Sequence, residues 1–231
     1  MEFENTEVYG FKNALRGMRN PMSSWDKSDG KFVYPTTVDG KDDLNGCHYL
    51  IGKNDMKLAQ QLIRAGSEHR KFMRQIFVSV DITAPLYWWK EFDTYKVGTV
   101  ANSTSTMHKL ATTPITLDCF ETDDYEEIRL GNLNPKSTIT YCEDLRLKYL
   151  ETKDKKYWKE LIRWLPESWL QTRTVTMSYE NLLAMCSKGQ RRFHKLNEWS
   201  GQDDNTKPNF ISWARTLPYA QELIFIDEVD E

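Results

Sequence analysis

Most features that place a chain in a function class at first sight are missing from this sequence. No apolar run approaches the ~20 residues that span a bilayer, so no membrane-spanning helix is predicted. The four cysteines and four histidines are widely scattered, and no pair has the spacing of zinc ligands, so neither a disulfide framework nor a metal site is predicted. Also missing are the G-x-G-x-x-G and Walker loops, the H-E-x-x-H helix of metalloproteases and a convincing nucleophile elbow.

The bulk composition sets the class of protein. The first ten residues, MEFENTEVYG, lack the basic and apolar regions of a signal peptide, and we therefore expect a cytoplasmic protein. Of the 231 residues, 39% are hydrophobic and 13% are aromatic, which is enough for a packed core. The formal net charge of −3 argues against a dedicated nucleic-acid binder. The length favours one domain over residues 1–231.

Apolar periodicity and capping residues predict a helix-rich α/β (α+β) chain with one small sheet. The first predicted helix is capped by Asn54 or Asp55 and ends at Gly66. Alternating apolar residues predict a strand over residues 72–82, and a new helix follows with Thr83 as its N-cap. Further elements are expected as helices over residues 140–150, 154–165, from 178 onward, 189–199 and 210–217, and as a short helix with hairpin-like loops in residues 1–53.

The helix after Thr83 is unusually aromatic. Its apolar residues Tyr87, Trp88, Trp89 and Phe92 cover more than half of its surface, which is typical of a helix in a core or at a subunit interface. Alternatively, the rings of the first three would stack on a flavin or a base.

The polar loop after this helix carries the most informative pattern. Residues 91–109 read EFDTYKVGTVANSTSTMHK, a helix end that leads into small hydroxyl residues. Such a composition suits a phosphate or nucleotide site. The stretch resembles the signature R-H-R-x-x-S-x-N-x-x-S-x-R-Y of the flavin-dependent thymidylate synthases, with TYKVGT, then two residues where the signature has one, and then NSTSTMH. The flanking segments LIRAGSEHRKFMRQIFVSVDITAPLYWW and IRWLPESWLQTRTVTMSYENLL are similar to that family in order and spacing, so the resemblance covers residues 56–199.

This resemblance implies an α/β fold that assembles as a homotetramer and binds FAD and dUMP where subunits meet. Members of the family transfer a methylene group from a folate to dUMP, with the flavin as hydride carrier and NADPH as reductant. On this basis, residues 1–53 form a variable N-terminal segment and residues 200–231 a divergent C-terminal segment of one family-like domain.

The basic residues of the family's signature are mostly replaced. Their positions hold Thr94, Tyr95, Lys96, and Met107 or Thr106, depending on where the extra residue is placed. The arginine of the family's Asn-Ala-Arg helix is Glu180 here. If Glu180 faces the site, attraction for a phosphate becomes repulsion. Because each lost arginine–phosphate contact costs ~1.5–3 kcal/mol, we expect that dUMP is not bound in the family's pose.

An altered site is therefore predicted, with candidates taken from the resemblance. The substrate-binding candidates are Lys90, Lys96, Asn102, Ser105, His108 and Glu180. The cofactor-binding candidates are His69, Gln75, Glu91 and Tyr95. Structural alternatives stand beside them: the loop hydroxyls satisfy their own backbone, and His69 lies in an ordinary surface turn. As strand neighbours, Arg74 and Gln75 are expected to face opposite ways.

Three interpretations of function follow. The first is a divergent flavin-dependent thymidylate synthase-like enzyme that binds FAD and a nucleotide-like substrate. The second is a non-catalytic binding or assembly protein on the same scaffold. The third is an unrelated α/β protein in which the motif matches arose by chance.

Overall fold

A computed structural model describes residues 1–33, 48–122, 135–191, 193–203 and 205–228. The strands are β1 (Glu2–Tyr9), β2 (Lys31–Val33), β3 (His48–Leu50), β4 (Phe77–Pro85), β5 (Val100–Ser103) and β6 (Leu170–Ser178). The α-helices are α1 (Phe11–Met18), α2 (Lys53–Arg64), α3 (Leu86–Phe92), α4 (Thr106–Lys109), α5 (Pro135–Thr152), α6 (Lys155–Trp164), α7 (Tyr179–Cys186), α8 (Lys188–Arg191), α9 (Asn197–Ser200), α10 (Phe210–Arg215) and α11 (Ala220–Leu223).

The main sheet has four strands in the order β1-β4-β6-β5. The Thr83 hydroxyl lies 2.7 Å from that of Thr172, and the Thr174 hydroxyl donates to Asp81. Residue 83 therefore lies opposite residue 172, and residue 81 opposite residue 174. Because the numbers rise along one strand as they fall along the other, β4 and β6 are antiparallel. Alternate side chains of β4 are buried, as the alternating pattern predicted. The helix-rich chain with one small sheet is confirmed.

A second, two-stranded ribbon pairs β2 with β3, with Lys31 opposite Leu50. Together with α1, it matches the short helix and hairpin-like element expected in residues 1–53. The turns expected between the two strands, in residues 34–47, lie outside the described residues.

The chain is divided into two compact units, and the expected single-domain organisation stays a prediction. Unit 1 contains Met1–Glu4, Asp81–Lys96 and Ala101–Val175. Unit 2 contains Asn5–Val80, Val97–Val100 and Thr176–Glu231.

Unit 1 has its core where α5 and α6 pack against each other and against the segment that leads to Phe120. The members of this core are Leu110, Ile115, Phe120, Cys142, Leu145 and Leu161. Helix α3 is also buried: Trp88 and Trp89 are 0% and 1% exposed, and the Trp89 indole N–H donates to the carbonyl of Gln171 at 2.9 Å. Packing, rather than stacking on a ligand, therefore explains these two tryptophans.

In unit 2, α1 and α7 both pack against a 3-10 turn over Arg70–Gln75, and α2 packs against α11. The carboxylate of Asp55 is fully buried. It accepts hydrogen bonds from Arg19 Nε at 2.6 Å, Ser28 Oγ at 2.8 Å and the N–H groups of Asp29 and Gly30. Because all these donors precede α2 in the chain, Asp55 ties the segment after α1 to that helix.

Two predicted N-termini are wrong. Thr83 lies inside β4, and α3 begins only after Pro85, because β4 continues its pairing with β6 through this segment. Helix α2 begins at Lys53 after Gly52, so Asp55 is a buried acceptor rather than a cap.

The predicted strand over residues 72–82 begins later, at Phe77. The preceding 3-10 turn buries Phe72 and Met73, and its period of three replaces the strand alternation. Arg74 and Gln75 are therefore not strand neighbours facing opposite ways.

The predicted helix over residues 189–199 is two short helices, α8 and α9, because Leu196 has an extended backbone. The strands β1, β5 and β6 were not predicted, since their exposed faces carry polar residues and their order emerges only from pairing.

Two further structural facts bear on function. No helix in the described ranges is long and apolar enough to cross a bilayer. Within the same ranges, no group of three or more His, Cys, Asp and Glu side chains is arranged to hold a metal ion.

Candidate functional site

Helix α7 in unit 2 begins with a complete capping box. The Ser178 hydroxyl accepts from the Asn181 N–H at 3.2 Å, and the Asn181 side-chain oxygen accepts from the Ser178 N–H at 3.1 Å. This confirms the helix start predicted near Ser178. The box fixes the first turn of α7, and with it the position of Glu180.

Two arginines meet the carboxylate of Glu180. Arg70 Nε lies 3.3 Å from Oε1, Arg74 Nη2 lies 3.4 Å from the same oxygen, and Arg74 Nε donates to Oε2. The Glu180 side chain is 14% exposed and that of Arg74 is 56% exposed. The hydrogen bond to Glu180 raises the pKa of Arg74, so the Arg74 guanidinium stays charged. We call these three residues the arginine cluster.

The arginine cluster corrects the expected charge reversal. Two guanidinium groups and one carboxylate give a net charge of +1, because both arginines are paired with the same anion. Glu180 therefore does not leave this point of the structure negative. The sequence alone did not reveal these ion pairs, because Arg70 and Arg74 precede Glu180 by 110 and 106 positions in the chain.

The next residue of α7 holds the loop that resembles the family signature. Asn181 Nδ2 donates to the carbonyl of Val97 at 2.8 Å. Gly98 follows with φ 79°, a conformation that favours glycine, and an added Cβ there would lie 3.4 Å from Asn181 Oδ1. One helix turn thus holds both the arginine cluster and residues 97–100 within unit 2.

A cavity of about 300 Å³ lies beside the arginine cluster and shares Arg70 with it. Its lining combines apolar side chains from α2 and α7 with charged and hydroxyl groups; the residues are Ile63, Arg64, Gly66, Arg70, Leu183, Ala184, Ser187, Ile226 and Asp227. This volume is at the lower end of the range for small-molecule sites.

In unit 1, Arg173 on β6 is a further cation, and its sequence context had not marked it as a site residue. Its guanidinium lies 4.2 Å from the centre of the Trp89 ring, and Nη1 donates to Asp93 at 2.9 Å. Nε donates to the Gln171 side-chain oxygen at 3.0 Å, and the Gln171 amide donates to the carbonyl of Thr104 at 2.8 Å. Through Asp93 and, by way of Gln171, through Thr104, Arg173 is linked to two parts of the signature-like stretch, both of which belong to unit 1.

Two hydroxyl groups of that stretch, those of Ser105 and Thr94, have backbone partners within it. Ser105 is the N-cap of α4, and its hydroxyl accepts from the His108 N–H at 3.1 Å. The Thr94 hydroxyl donates to the carbonyl of Glu91 at 2.7 Å. These contacts are those that the structural alternative expected for such hydroxyls, and Asn102 on β5 is exposed.

No protein-family profile matches the sequence, and no characterised protein matches it by sequence. Solved structures do match. One is the flavin-dependent thymidylate synthase ThyX of Helicobacter pylori complexed with FAD and dUMP, at 16% identity, a TM-score of 0.59, and coverage of 98% of this chain and 99% of that one. A second structure of that enzyme with FAD and dUMP gives 15% identity, a TM-score of 0.61 and full coverage of both chains. The chain has the thymidylate synthase ThyX fold. The fold expected from the signature-like loop is therefore correct, and an unrelated α/β fold is excluded.

Three of the remaining candidates are Lys90, Tyr95 and Lys96. Lys90 pairs with Glu167 at 2.7 Å, and both side chains are mostly exposed. Lys96 is exposed, and Tyr95 is half-buried in a 3-10 turn. These three candidates belong to unit 1.

Two cofactor candidates flank the arginines in unit 2. His69 is exposed, and its N–H donates to the Gly66 carbonyl at 3.0 Å, as in the surface turn considered as an alternative. The side-chain oxygen of Gln75 lies 3.0 Å from where a Cβ on Gly17 would be, so this side chain lies along α1. Whether any of these residues binds a ligand stays a prediction.

Proposed function

We propose that this chain is a flavin-dependent nucleotide methyltransferase-type enzyme of the thymidylate synthase kind, with an altered substrate site and with the arginine cluster as the site of the FAD pyrophosphate. The single observation that supports it is the pairing of Arg70 and Arg74 with Glu180 on the helix turn that also holds Val97. The relatives that share the fold were crystallised with FAD and dUMP. Their common ligand chemistry is a phosphate group, which guanidinium groups recognise.

The donor set at the arginine cluster fits the pyrophosphate of FAD. Its net charge is +1, and Arg74 is exposed enough to reach an added anion without leaving its place in the fold. Arg70 is shared with the 300 Å³ cavity, so a phosphate there would lie at the mouth of a partly apolar space. FAD, when bound, supplies hydride-carrier chemistry.

The chain's own residues bind and orient in this proposal. Arg70 and Arg74 hold a phosphate and give up part of their pairing with Glu180. Asn181 fixes the loop at Val97 through its 2.8 Å hydrogen bond. The substrate-binding residues we propose are Lys90, Lys96, Asn102, Ser105 and His108. The other cofactor-binding residues we propose are His69, Gln75, Glu91 and Tyr95.

We further propose that the chain assembles as a homotetramer, as the resemblance to the thymidylate synthase family implies, and that it lies in the cytoplasm. Sedimentation equilibrium tests the assembly directly, since a tetramer of this 27.2 kDa chain has four times its mass.

The visible absorption spectrum of the purified, untagged protein tests the proposal. It should be recorded before and after excess FAD is added and removed by gel filtration. We expect a retained flavin spectrum, and a ligand present at 100 times its dissociation constant should add ~2.7 kcal/mol to the free energy of unfolding. Arg74→Ala should lower FAD retention, whereas Arg163→Ala, which removes an exposed arginine paired with Glu160 in unit 1, should not.

A colourless protein that retains no FAD would overturn the proposal that the chain is a flavin-dependent redox enzyme. It would leave the non-catalytic binding or assembly protein on the same scaffold as the surviving interpretation. Equal loss of FAD in the Arg74→Ala and Arg163→Ala variants would overturn the arginine cluster as the site.

A further inference from the structure

Unit 2 contains a second cavity, of about 440 Å³, which has no lining residue in common with the 300 Å³ cavity. Three separate chain segments meet around it: the run from the end of β1 to the start of α1, strand β3 and the turn before α11. The lining residues are Val8, Tyr9, Gly10, Phe11, His48, Tyr49, Pro218 and Tyr219. We call it the aromatic cavity.

The ring of Tyr219 is a fixed wall of the aromatic cavity. Its hydroxyl accepts from the Ile51 N–H at 3.1 Å and donates to the Tyr49 carbonyl at 3.1 Å. Its backbone is left-handed, with φ 57°, which is costly for an aromatic residue. The hydroxyl of Tyr179 donates to the Pro218 carbonyl at 2.6 Å and so holds the turn in this conformation.

A second wall is formed by the segment from β1 to α1. Phe11 packs edge-on against Tyr219, with ring centres 5.5 Å apart. Gly10 lets the chain turn there at φ 101°, and a Cβ on it would lie 2.1 Å from the Gln75 carbonyl oxygen. Tyr9 stacks on Phe77 at 5.8 Å and is still 47% exposed. The cavity is therefore shaped before any ligand arrives, which reduces the entropy lost on binding.

The chemistry of the lining indicates the ligand. Among the residues that the structure describes, none of the eight that line the cavity is Lys, Arg, Asp or Glu, so this lining offers no fixed charge to match an ionised group. Its walls are ring faces and edges, on which flat π systems stack. The volume lies within the range for small-molecule sites. We propose that the aromatic cavity binds a neutral planar heteroaromatic ring, of the kind found in the base of a nucleoside.

Saturation-transfer NMR of the whole chain with adenosine, uridine and ribose tests this site. We expect transfer to the base protons of both nucleosides and none to ribose alone. Tyr9→Ala should weaken nucleoside binding at least tenfold, because one stacking ring is lost. Tyr9→Phe, which keeps the ring, should restore it. Tyr141→Ala is the matched control, because Tyr141 is 45% exposed and lies on α5 in unit 1.

The outcomes separate this inference from the proposed function. Binding that falls in Tyr9→Ala but not in Tyr141→Ala or Arg74→Ala supports the aromatic cavity. Absence of nucleoside binding, or binding unaffected by Tyr9→Ala, overturns it. Binding lost in Arg74→Ala alone also overturns it, and places the nucleoside at the arginine cluster instead.

Discussion

Replacing Glu180 by Gln should strengthen anion binding at the arginine cluster by about tenfold. The carboxylate now neutralises one of two guanidinium charges, and the amide would leave both while keeping the shape of the side chain. One added unit charge about 4 Å from an anion contributes ~1 kcal/mol in water and ~4 kcal/mol at the effective dielectric constant near a protein surface. Because Arg74 is 56% exposed, a gain of ~1.4 kcal/mol, in the lower part of that range, is expected. A gain of ~1.4 kcal/mol lowers the dissociation constant about tenfold.

Isothermal titration calorimetry with inorganic pyrophosphate measures this gain. The gain should shrink at high ionic strength, since the cluster is partly exposed. Glu160→Gln makes the same change in net charge on α6 of unit 1, where Glu160 pairs with Arg163. The reasoning is refuted if Glu180→Gln binds pyrophosphate no more tightly than the unmodified chain, or if Glu160→Gln gives an equal gain.

Three further predictions concern stability. Asp55→Ala should lower the free energy of unfolding in urea by ~3–5 kcal/mol, because it leaves the buried Arg19 without its anion. Glu143→Gln should destabilise the chain near pH 7 and lose this effect as the pH falls below the unfolded-state pKa of ~4.3. The hydrogen bond from Arg146 holds the pKa of Glu143 below its usual value, so its contribution is present above the unfolded-state pKa of ~4.3 and is lost as the pH falls through the folded-state pKa. Gly10→Ala should cost more than ~2 kcal/mol in the same urea assay, since strain at φ 101° adds to the clash with a carbonyl oxygen.

Matched variants check each of these. Asp118→Ala removes an exposed carboxylate, and a loss as large as that of Asp55→Ala would contradict the buried pair. Gly66 has φ 107° but open space around its would-be Cβ, so Gly66→Ala isolates backbone strain. Equal costs at Gly10 and Gly66 would remove the clash from the explanation. A deficit of Glu143→Gln that does not shrink as the pH falls below the unfolded-state pKa of ~4.3 would contradict its lowered pKa.

Local signals predicted the elements whose sequence pattern agrees with their final environment. Buried and half-buried side chains alternate along β4, and apolar residues recur at every second position of its sequence. Ser178 begins α7 because a hydroxyl three residues before Asn181 closes a capping box, which is a contact between near neighbours. The aromatic residues of α3 are buried because no other environment accepts so much apolar surface.

Elements with polar exposed faces were missed or misplaced. Strand β6 carries threonines, Gln171 and Arg173, and its pairing with β4 is what makes it a strand. Thr83 has the features of an N-cap, yet the hydrogen bond between its hydroxyl and that of Thr172 keeps it in the sheet. Propensity gave way to cross-strand pairing at both places.

The sequence by itself determined the ThyX-like fold, the hydroxyl-rich loop and the loss of most of the arginines in its signature, because these depend on the identity and spacing of residues along the chain. The tertiary structure alone decided what Glu180 does. A carboxylate has no fixed electrostatic meaning until its neighbours are known, and here Arg70 and Arg74 come from a turn more than a hundred residues earlier. The aromatic cavity has the same origin, since its walls come from three segments that only folding brings together.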